Sequence, residues 1–383
     1  MLELRSSRST RLSQSIILWK AGSFSHVNEN VKAILEREFP EYPLRVIDVL
    51  HDVLKRRPFA FLQALTEAVR MYPHHIFRQR RKPTDFILRT PTAFRAIKAW
   101  AAANVNPART AFTIQTQSLF DASRAGTPHF VYTDQACLAN RRYPLPVDSE
   151  LLDARWLAVE RTVYESARVT FTTSTFAGKS LVEDYGLDPA RTECVLSGTN
   201  VQRAATPAAK PFRGIVLFVG VDWQRKGGPD LVAAFTRVAE AHPQARLRIV
   251  GCTPKVDHPR IETLGRLSLD ETATQFLEAD IFCLPSYHEP SAVALVEAQL
   301  YGLPVVTTNV GGSPDRLVDG ETGHLVAAGD IAGLAAALDG LLRDPARCRA
   351  MGEAGMRFAS GRFSWEAVGQ RIATRIRTSL ACR

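Results

Sequence analysis

Residues 281–308 read IFCLPSYHEPSAVALVEAQLYGLPVVTT, and this stretch decides the fold. Short apolar runs at 281–284 and 304–307 predict two strands, and the apolar period at 292–300 predicts a helix between them. Pro290 suits a first helical turn and Ser291 suits its cap, so we expect the helix to begin here. Two strands joined by one helix predict a parallel βαβ unit.

The alternation of strands and helices continues on both sides of this unit. In the second half it predicts strands at 215–219 and 247–250, and helices at 231–241, 270–278, 331–342, 345–359 and 365–380. In the first half it is less regular, with strands expected at 15–19, 44–49, 110–114, 130–133 and 169–173. We therefore predict an α/β protein of two Rossmann-like, doubly wound domains facing a cleft, with ligands at the carboxyl ends of the strands.

Length and composition agree with this prediction. The 383 residues suit two domains of roughly 100–200 residues, and 45% hydrophobic with 23% charged residues is typical of a globular protein. No apolar run approaches the ~18–20 residues of a membrane-spanning helix. The six cysteines are scattered without a CxxC pair, which favours a reducing cytoplasm over a disulfide framework or a zinc site. The Arg- and Ser-rich residues 1–15 are interpreted as a frayed tail, with an organelle transit peptide as the alternative.

The net charge of +9 is concentrated in the first half. Residues 1–205 hold 28 Lys and Arg against 20 Asp and Glu, whereas residues 206–383 hold 20 against 19. The densest basic clusters, at 55–57 and 78–82, are interleaved with aromatic residues. Such a pattern is typical either of a solvated helix face or of a surface that contacts an anionic membrane. We keep peripheral membrane contact as a hypothesis and expect no nucleic-acid partner.

Two carboxylates stand eight residues apart around the start of the predicted helix. Glu289 precedes the helix amides, and Glu297 lies about two turns into the helix. The pair can therefore reach opposite ends of one extended ligand. Taken alone it also has a plain structural explanation, in which Glu289 complements the helix dipole and Glu297 is a surface residue.

The neighbouring residues extend this pair into a longer pattern. Glu297 is followed by GLPVV at 302–306, by Gly311 and Gly312, and by GETGHLV at 320–326; upstream lies FVGVDWQRKGGPDLVAAF at 218–235. Over roughly residues 215–330, this order and spacing resemble the donor-site signature of the retaining nucleotide-sugar glycosyltransferases of family 4, which have the GT-B fold. The resemblance is much weaker in the first half.

The resemblance implies a role for each donor-site residue. The leaving diphosphate carries growing negative charge that cations and amides must stabilise, and Lys226 matches the family lysine that contacts it. Glu289 faces the sugar ring, Glu297 accepts hydrogen bonds from ribose hydroxyls, and the loop at Gly265 lies near the base. Three backbone amides at the helix start hold sugar hydroxyls and phosphate, those of Ser291, Ala292 and Val293.

Two departures from the family pattern concern donor affinity. The family has an Arg directly after the glycine of the first strand of this domain, whereas Gly220 is followed here by Val221. Arg225 is a candidate to replace it, since it adjoins the matching lysine. The family Glu after the double glycine is Asp315 here, which keeps the charge with a shorter reach.

The first half offers two further candidates. Gly22, after the first predicted strand, lacks a Cβ and could let a diphosphate approach the backbone, although glycine is common at such a turn. Asp134 follows the predicted strand at 130–133, where a family histidine often stands, so we assign it a catalytic or sugar-contacting role. A turn or N-cap aspartate is the equal alternative.

The resemblance and the residues together lead to one expectation. They predict an acceptor-binding domain at 1–201, a linker at 202–212 and a donor-binding domain at 213–364, with the last helix, 365–383, packing back onto the first domain. We expect a cytoplasmic hexosyltransferase-type enzyme of polysaccharide biosynthesis, peripheral at the inner membrane face, that moves a sugar from a nucleotide diphosphate sugar to a lipid-linked or polysaccharide precursor. No metal or other cofactor is expected. The alternatives are a non-enzymatic or weakened donor-binding homologue and a GT-B nucleotide-sugar epimerase.

Overall fold

The computed structural model describes residues 14–24, 26–145, 149–199, 201 and 210–381. The chain divides into two compact units. The first unit comprises Met1–Thr133, Ser149–Phe171 and Ala373–Arg383, and the second comprises Asp134–Asp148 and Thr172–Ile372. Most of the predicted linker, at 202–209, and most of the predicted tail, at 1–13, lie outside the described residues.

The first sheet has six strands in the order β2-β1-β3-β4-β5-β6. The interior strand β1 pairs in parallel with β2 and β3, with Ile16 opposite Leu44 and Phe112. The apolar residues of β1 are fully buried because a parallel sheet is covered on both faces. The strands are β1 Ser15–Lys20, β2 Leu44–Asp48, β3 Thr110–Thr116, β4 His129–Thr133, β5 Val169–Thr172 and β6 Thr192–Cys194.

The second sheet also has six strands, in the order β12-β11-β10-β7-β8-β9. Its pairings are parallel, with Val216 opposite Leu247 in β8 and Ile281 in β10. A continuous apolar core packs against both faces of this sheet. The strands are β7 Ile215–Val219, β8 Arg246–Val250, β9 Ile261–Gly265, β10 Ile281–Leu284, β11 Val305–Thr308 and β12 Gly323–Val326.

Eleven α-helices connect or cover these strands in the described part of the chain. Their starts follow ordinary capping chemistry: α7, for example, begins with a capping box between Ser268 and Glu271. The helices are α1 Val27–Glu38, α2 Pro58–Met71, α3 Pro91–Asn104, α4 Ala154–Ser166, α5 Thr175–Glu183, α6 Gly228–Ala241, α7 Leu269–Glu278, α8 Val293–Leu300, α9 Ile331–Arg343, α10 Pro345–Ala359 and α11 Trp365–Ala381.

The two parallel sheets with covering helices confirm the predicted α/β class of two Rossmann-like folds. The predicted cap of α8 is wrong: the helix begins at Val293, one residue later than predicted, and Ser291 does not cap it. The Ser291 hydroxyl lies 2.9 Å from the Thr173 hydroxyl instead of capping the helix, and the N-cap position is taken by Ala292. The strands β6, β9 and β12 were not predicted, because they are short and only partly buried and so lack the continuous apolar run of β7 or β10.

The last helix, α11, contributes to both compact units. In the second unit, the Arg371 guanidinium donates to the Val195 carbonyl at 3.0 Å. In the first unit, Arg377 donates to the Glu38 carbonyl and lies 4.9 Å from the centre of the Phe39 ring. The units also assign residues 134–148 and 172–201 differently from the predicted boundary at 201.

Candidate active site

The candidate site lies where β7 and β10 of the second sheet end. The loop after β7 runs into α6 and the loop after β10 runs into α8, and the Tyr287 amide donates to the Arg225 carbonyl between them at 2.9 Å. Gly227, with φ of +71°, makes this approach possible, since a Cβ there would stand 1.9 Å from the Pro285 carbonyl oxygen. Two loops that carry charged side chains are thus held against each other.

Lys226 and Glu289 form an ion pair at the centre of this site. The Lys226 ammonium donates to the Glu289 carboxylate, and the two side chains are only 14% and 9% exposed. The Ser286 hydroxyl donates to the same carboxylate oxygen at 3.2 Å. A partly buried pair of this kind concentrates opposite charges in a place where water screens them poorly.

Arg225 lies beside this pair but points elsewhere. Its guanidinium donates to the His288 carbonyl at 2.7 Å and to the Asp222 carboxylate at 3.2 Å. Val221, which stands where the family has an arginine, is 63% exposed. The Arg225 guanidinium is therefore bonded to the backbone next to Glu289. It does not take the place of the arginine that the family has at Val221.

Glu297 sits in the second turn of α8 and has no partner for its carboxylate among the described residues. Burial raises its pKa to about 7. The side chain is partly buried, and a carboxylate that loses part of its water without gaining a hydrogen bond is costly to ionise. The arrangement leaves Glu297 ready to accept hydrogen bonds from a ligand.

The start of α8 combines strain with free amides. Ala292 adopts φ 48° and ψ 40°, the left-handed conformation that residues with a Cβ avoid, and it is almost fully buried. Its methyl side chain offers no cap, so the first amides of α8, including that of Val293, have no N-cap side chain to accept from them. Strain of this kind clusters at ligand sites, and a helix N-terminus with uncapped amides suits an anion.

Four polar residues that the sequence did not single out line the site beside Glu289. His288 Nε2 lies 3.0 Å from Asn140 Oδ1 and 3.4 Å from Gln135 Nε2, and its ring stacks 4.0 Å from that of Tyr143. Burial, helped by Arg225, lowers the pKa of His288 to about 4, so the ring is neutral at pH 7. The only sequence signal was the adjacency of His288 to Glu289, since residues 134–148 show no period.

Asp134 falls in the same compact unit as Glu289. Burial and then the charges of Glu289 and Asp134 raise the pKa of Tyr143, so both carboxylates lie close enough to act on this hydroxyl. The Tyr143 hydroxyl donates to Gln135 Oε1 at 3.3 Å. The structure therefore brings two of the predicted site residues to one tyrosine, while the catalytic role of Asp134 stays a prediction.

The two remaining glycines lie at turns. Gly265 ends β9 with φ of +67°, and its carbonyl accepts from the Gly251 amide at 2.7 Å. Gly22 belongs to the first unit, has φ of +58°, and its amide donates to Asp48 at 3.2 Å. Each glycine thus supplies the positive φ that its own turn adopts.

A cleft of about 730 Å³ opens in the second unit next to these residues. Gly311 lines it, and a Cβ at Gly311 would stand 2.2 Å from the Glu289 carbonyl oxygen and 2.8 Å from the Tyr143 hydroxyl. Other lining residues supply an aromatic ring and two cations, Phe176, Arg142 and Lys179. Within the described ranges, no three His, Cys, Asp or Glu side chains are grouped to hold a metal, and no helix is long and apolar enough to cross a membrane.

Comparison with known proteins finds a family model that matches part of the second unit. Residues 213–344 match the family model of glycosyl transferases group 1. The glycogen synthase of Mycobacterium tuberculosis is 30% identical over 229 residues, which are 56% of this chain and 55% of that protein. The D-inositol 3-phosphate glycosyltransferase of Kribbella flavida is 32% identical over 256 residues, 59% and 60% of the two chains. This chain thus spans little more than half the length of these relatives.

Solved structures extend the likeness to the whole fold. The sucrose-phosphate synthase of Thermosynechococcus elongatus superposes with a TM-score of 0.69 at 21% identity, over 97% of this chain and 100% of that one. The lipopolysaccharide outer core galactosyltransferase WaaB gives 0.67 at 12% identity, over 95% and 99%. The chain therefore has the GT-B fold, and its residues 213–344 are similar to the glycosyl transferases group 1 family.

Proposed function

We propose that the protein is a retaining glycosyltransferase of family 4 type that moves a sugar from a nucleotide diphosphate sugar to a saccharide or lipid-linked acceptor. The observation that carries this proposal is the buried Lys226–Glu289 ion pair at the ends of β7 and β10. It sets a cation and a carboxylate side by side next to the uncapped start of α8. A donor that presents a diphosphate and a sugar ring needs this combination.

The donor is held by residues of the second unit in this proposal. Lys226 supplies positive charge to the diphosphate, and the amides that begin at Val293 add uncharged donors. Glu297 accepts hydrogen bonds from the ribose hydroxyls, which satisfy its buried carboxylate. A solved relative in fold, HepE of Anabaena, is described in complex with UDP and glucose and has a TM-score of 0.61 at 15% identity over 94% of this chain and 99% of that one.

The transfer step follows from the charges around Glu289. The bond from the anomeric carbon to the diphosphate oxygen breaks, and the acceptor hydroxyl forms its bond to the same face of that carbon. The hydroxyl proton passes to the departing diphosphate oxygen, so atoms and charge balance. Glu289 stabilises the positive charge that develops on the sugar ring, and Lys226 stabilises the negative charge on the leaving group.

The remaining features of the proposal concern the surroundings of this step. We place the protein in the cytoplasm, in polysaccharide biosynthesis, with no metal or cofactor beyond the donor itself. The acceptor domain is the first unit, whose excess of basic residues suits an anionic or membrane-associated acceptor.

A weakened donor-binding protein is the second candidate, and one observation favours it. Val221 is 63% exposed where the family has an arginine, and Arg225 is turned to the His288 carbonyl. Loss of one cation would reduce affinity for a diphosphate without disturbing the fold. A donor-binding screen, followed by assays of nucleotide release and of the donor sugar, separates this candidate and a nucleotide-sugar epimerase from the transferase.

The first experiment is a thermal-shift screen of the protein against UDP-, GDP-, ADP- and dTDP-sugars. A ligand at a hundredfold excess over its Kd adds roughly 2.7 kcal/mol to the free energy of unfolding. We expect one nucleotide class to raise the Tm by several degrees, and Lys226→Ala and Glu297→Ala to abolish that rise. The matched controls are Arg237→Ala and Glu240→Ala, which remove exposed charges from α6 and should leave the rise unchanged.

The outcomes separate the candidates. Stabilisation that depends on Lys226 and Glu297, followed by release of free nucleotide with a saccharide acceptor, supports the transferase. Stabilisation with no nucleotide released and no change in the sugar supports the weakened homologue, and conversion of the donor sugar to its epimer supports the epimerase. A rise that survives both site variants contradicts the proposed site.

A further inference from the structure

We propose that residues 55–82 of the first unit form a docking surface for an anionic lipid bilayer. This inference rests on the proposed function in one respect, since a bilayer surface is where a lipid-linked acceptor is found. The stretch contains eight Lys and Arg and a single acidic residue, Glu67, so it carries most of the chain's net charge of +9. Its core is the helix α2 with the turns on either side.

The exposed face of α2 is apolar at its start and basic at its end. Phe59 and Leu62 are 83% and 61% exposed, and Thr66 and Arg70 continue the same face at helical spacing. The turn that follows α2 adds Phe77, which is 68% exposed. Of the five large hydrophobic side chains more than 60% exposed in the described part of the chain, three lie in this stretch.

The packing of α2 does not account for these exposed side chains. The helix buries a separate set of residues, Ala64, Ala68 and Met71, and that buried face supplies its contact with the rest of the unit. Two large apolar side chains on the other face gain nothing from this packing. Leaving each in water forgoes the favourable free energy that burial would provide.

Most of the cations of the stretch also form no ion pair with any described residue. The Glu67 carboxylate accepts from the Thr92 amide at the start of α3, at 2.8 Å, and so is used inside the unit. Arg56 and Arg81 pair with nearby aspartates. Five exposed cations form no ion pair with any residue that the structure describes: Lys55, Arg70, Arg78, Arg80 and Lys82.

A bilayer is the occupant that uses both properties. The cations attract an anionic headgroup layer, and Phe59, Leu62 and Phe77 are of the size and type that insert at the headgroup boundary. A soluble polyanion would use the cations alone and leave the three hydrophobic side chains in water. Exposed apolar residues amid unpaired cations therefore favour a lipid surface.

The test is vesicle sedimentation of the full chain without any donor, with 30% phosphatidylglycerol in phosphatidylcholine against pure phosphatidylcholine. We expect binding to the anionic vesicles only, and weaker binding at 0.5 M salt than at 0.05 M because the charges are screened. Reversing three cations, Arg78→Glu, Arg80→Glu and Lys82→Glu, should weaken binding more than a hundredfold, at roughly fivefold per cation. The double variant Phe59→Ser and Phe77→Ser should weaken it at least tenfold.

Matched controls come from the second unit. Arg347→Glu, Arg349→Glu and Arg357→Glu make the same change in net charge on exposed positions of α10, and Leu269→Ser removes a side chain that is 87% exposed. Neither control should change binding by more than twofold to threefold.

Three results would overturn the proposal. The first is no binding to anionic vesicles, and the second is an equal loss of binding in the control variants. The third is a loss with the cation reversals but not with the Phe59 and Phe77 variant, when that variant also binds a soluble polyanion such as heparin as well as the parent does. Each reading is made without nucleotide sugar. A failed docking surface is therefore distinguishable from a failed donor site, which the thermal-shift screen tests separately.

Discussion

The turns after β1 and β7 each follow the strand that comes first along the chain in its sheet. The charged side chains near the two turns nevertheless have different partners. In the first unit, Asp48 accepts from the Gly22 amide and pairs with Lys20 at 3.5 Å, so its charge already has partners within that unit. In the second unit, Lys226 and Glu289 form an ion pair across two loops, and the Glu297 carboxylate has no partner among the described residues.

The two turns differ in how their carboxylates affect the stability of the folded chain. Asp48 is a structural carboxylate, whereas the partly buried and unpaired Glu297 costs free energy that hydrogen bonds from a ligand can offset. Proteins tolerate such costs at sites where a substrate completes the hydrogen bonds. The second turn is accordingly the one to test for donor chemistry, and the first turn serves as its internal reference.

The largest expected effect is on catalysis. Glu289→Gln keeps the shape of the side chain but removes the charge that faces the developing positive charge of the sugar. We expect the rate of donor hydrolysis or transfer to fall about a thousandfold, the usual size for loss of a pre-aimed electrostatic group. The measurement is nucleotide release under saturating donor. Glu262→Gln, an exposed carboxylate on β9, should retain full activity; a Glu289→Gln rate within tenfold of the parent would show that this carboxylate is dispensable.

The next effect is on stability and compares the turns directly. Gly227→Ala and Gly22→Ala both place a Cβ in the left-handed region, which costs roughly 1–2 kcal/mol. At Gly227 the Cβ also meets the Pro285 carbonyl at 1.9 Å, whereas at Gly22 the nearest atom is 3.9 Å away. We expect a loss of at least about 3 kcal/mol in the first case and about 1 kcal/mol in the second, measured by urea unfolding.

Gly340→Ala is the control for this pair. It lies within α9 with open space around a Cβ and should stabilise the protein by roughly 0.5–1 kcal/mol, the helix propensity difference. Equal losses at Gly227 and Gly22 would mean that the close approach of the two loops does not exist in solution.

The smallest effect is a pH dependence of donor affinity. Burial raises the pKa of Glu297 to about 7, so at pH 6 most of the carboxyl is protonated and at pH 8 most is ionised. Ribose hydroxyls donate to the ionised form, so donor affinity should rise about tenfold from pH 6 to pH 8. The measurement is Kd by calorimetry, and Glu297→Gln should flatten the profile. An equal slope in that variant would assign the titration to another group.

The stability of the ligand-free protein should move in the opposite direction. The folded-state pKa of Glu297 lies above the ordinary value of 4.5, so the unfolded chain releases its proton first as the pH rises. The contribution of Glu297 to stability is therefore full below pH 4.5 and is lost progressively up to pH 7. Glu297→Gln should remove this loss and raise the Tm at pH 8 relative to the parent.

The fold was predictable in the regions where buried strands and amphipathic helices have a period. The strands at Ile215–Val219 and Ile281–Leu284 and the helix at Pro345–Ala359 were predicted at their observed bounds. The strands β6, β9 and β12 were not, because they are short and partly exposed. Their existence depends on pairing with a neighbouring strand, which is a tertiary contact that no local pattern contains.

The candidate site was predictable only in part, for a related reason. Glu289, Glu297 and Lys226 carry a motif, whereas Tyr143 and Asn140 come from a segment without period and meet His288 only through the fold. The start of α8 was wrong because Ser291 is a good cap in isolation, yet its hydroxyl lies against Thr173, 118 residues away in the chain. Capping preference is a local quantity, and a tertiary hydrogen bond outweighed it.

The helix α11 has a consequence for how the chain is made. The first unit contains residues up to 171 and then residues from 373 onward, where Arg377 docks on Glu38 and Phe39. A ribosome adds roughly 5–20 residues per second, so the intervening stretch of about 200 residues takes on the order of 10–40 s to synthesise. Throughout that interval the nascent first unit lacks the helix that Arg377 belongs to, and the surface at Phe39 stays uncovered by it.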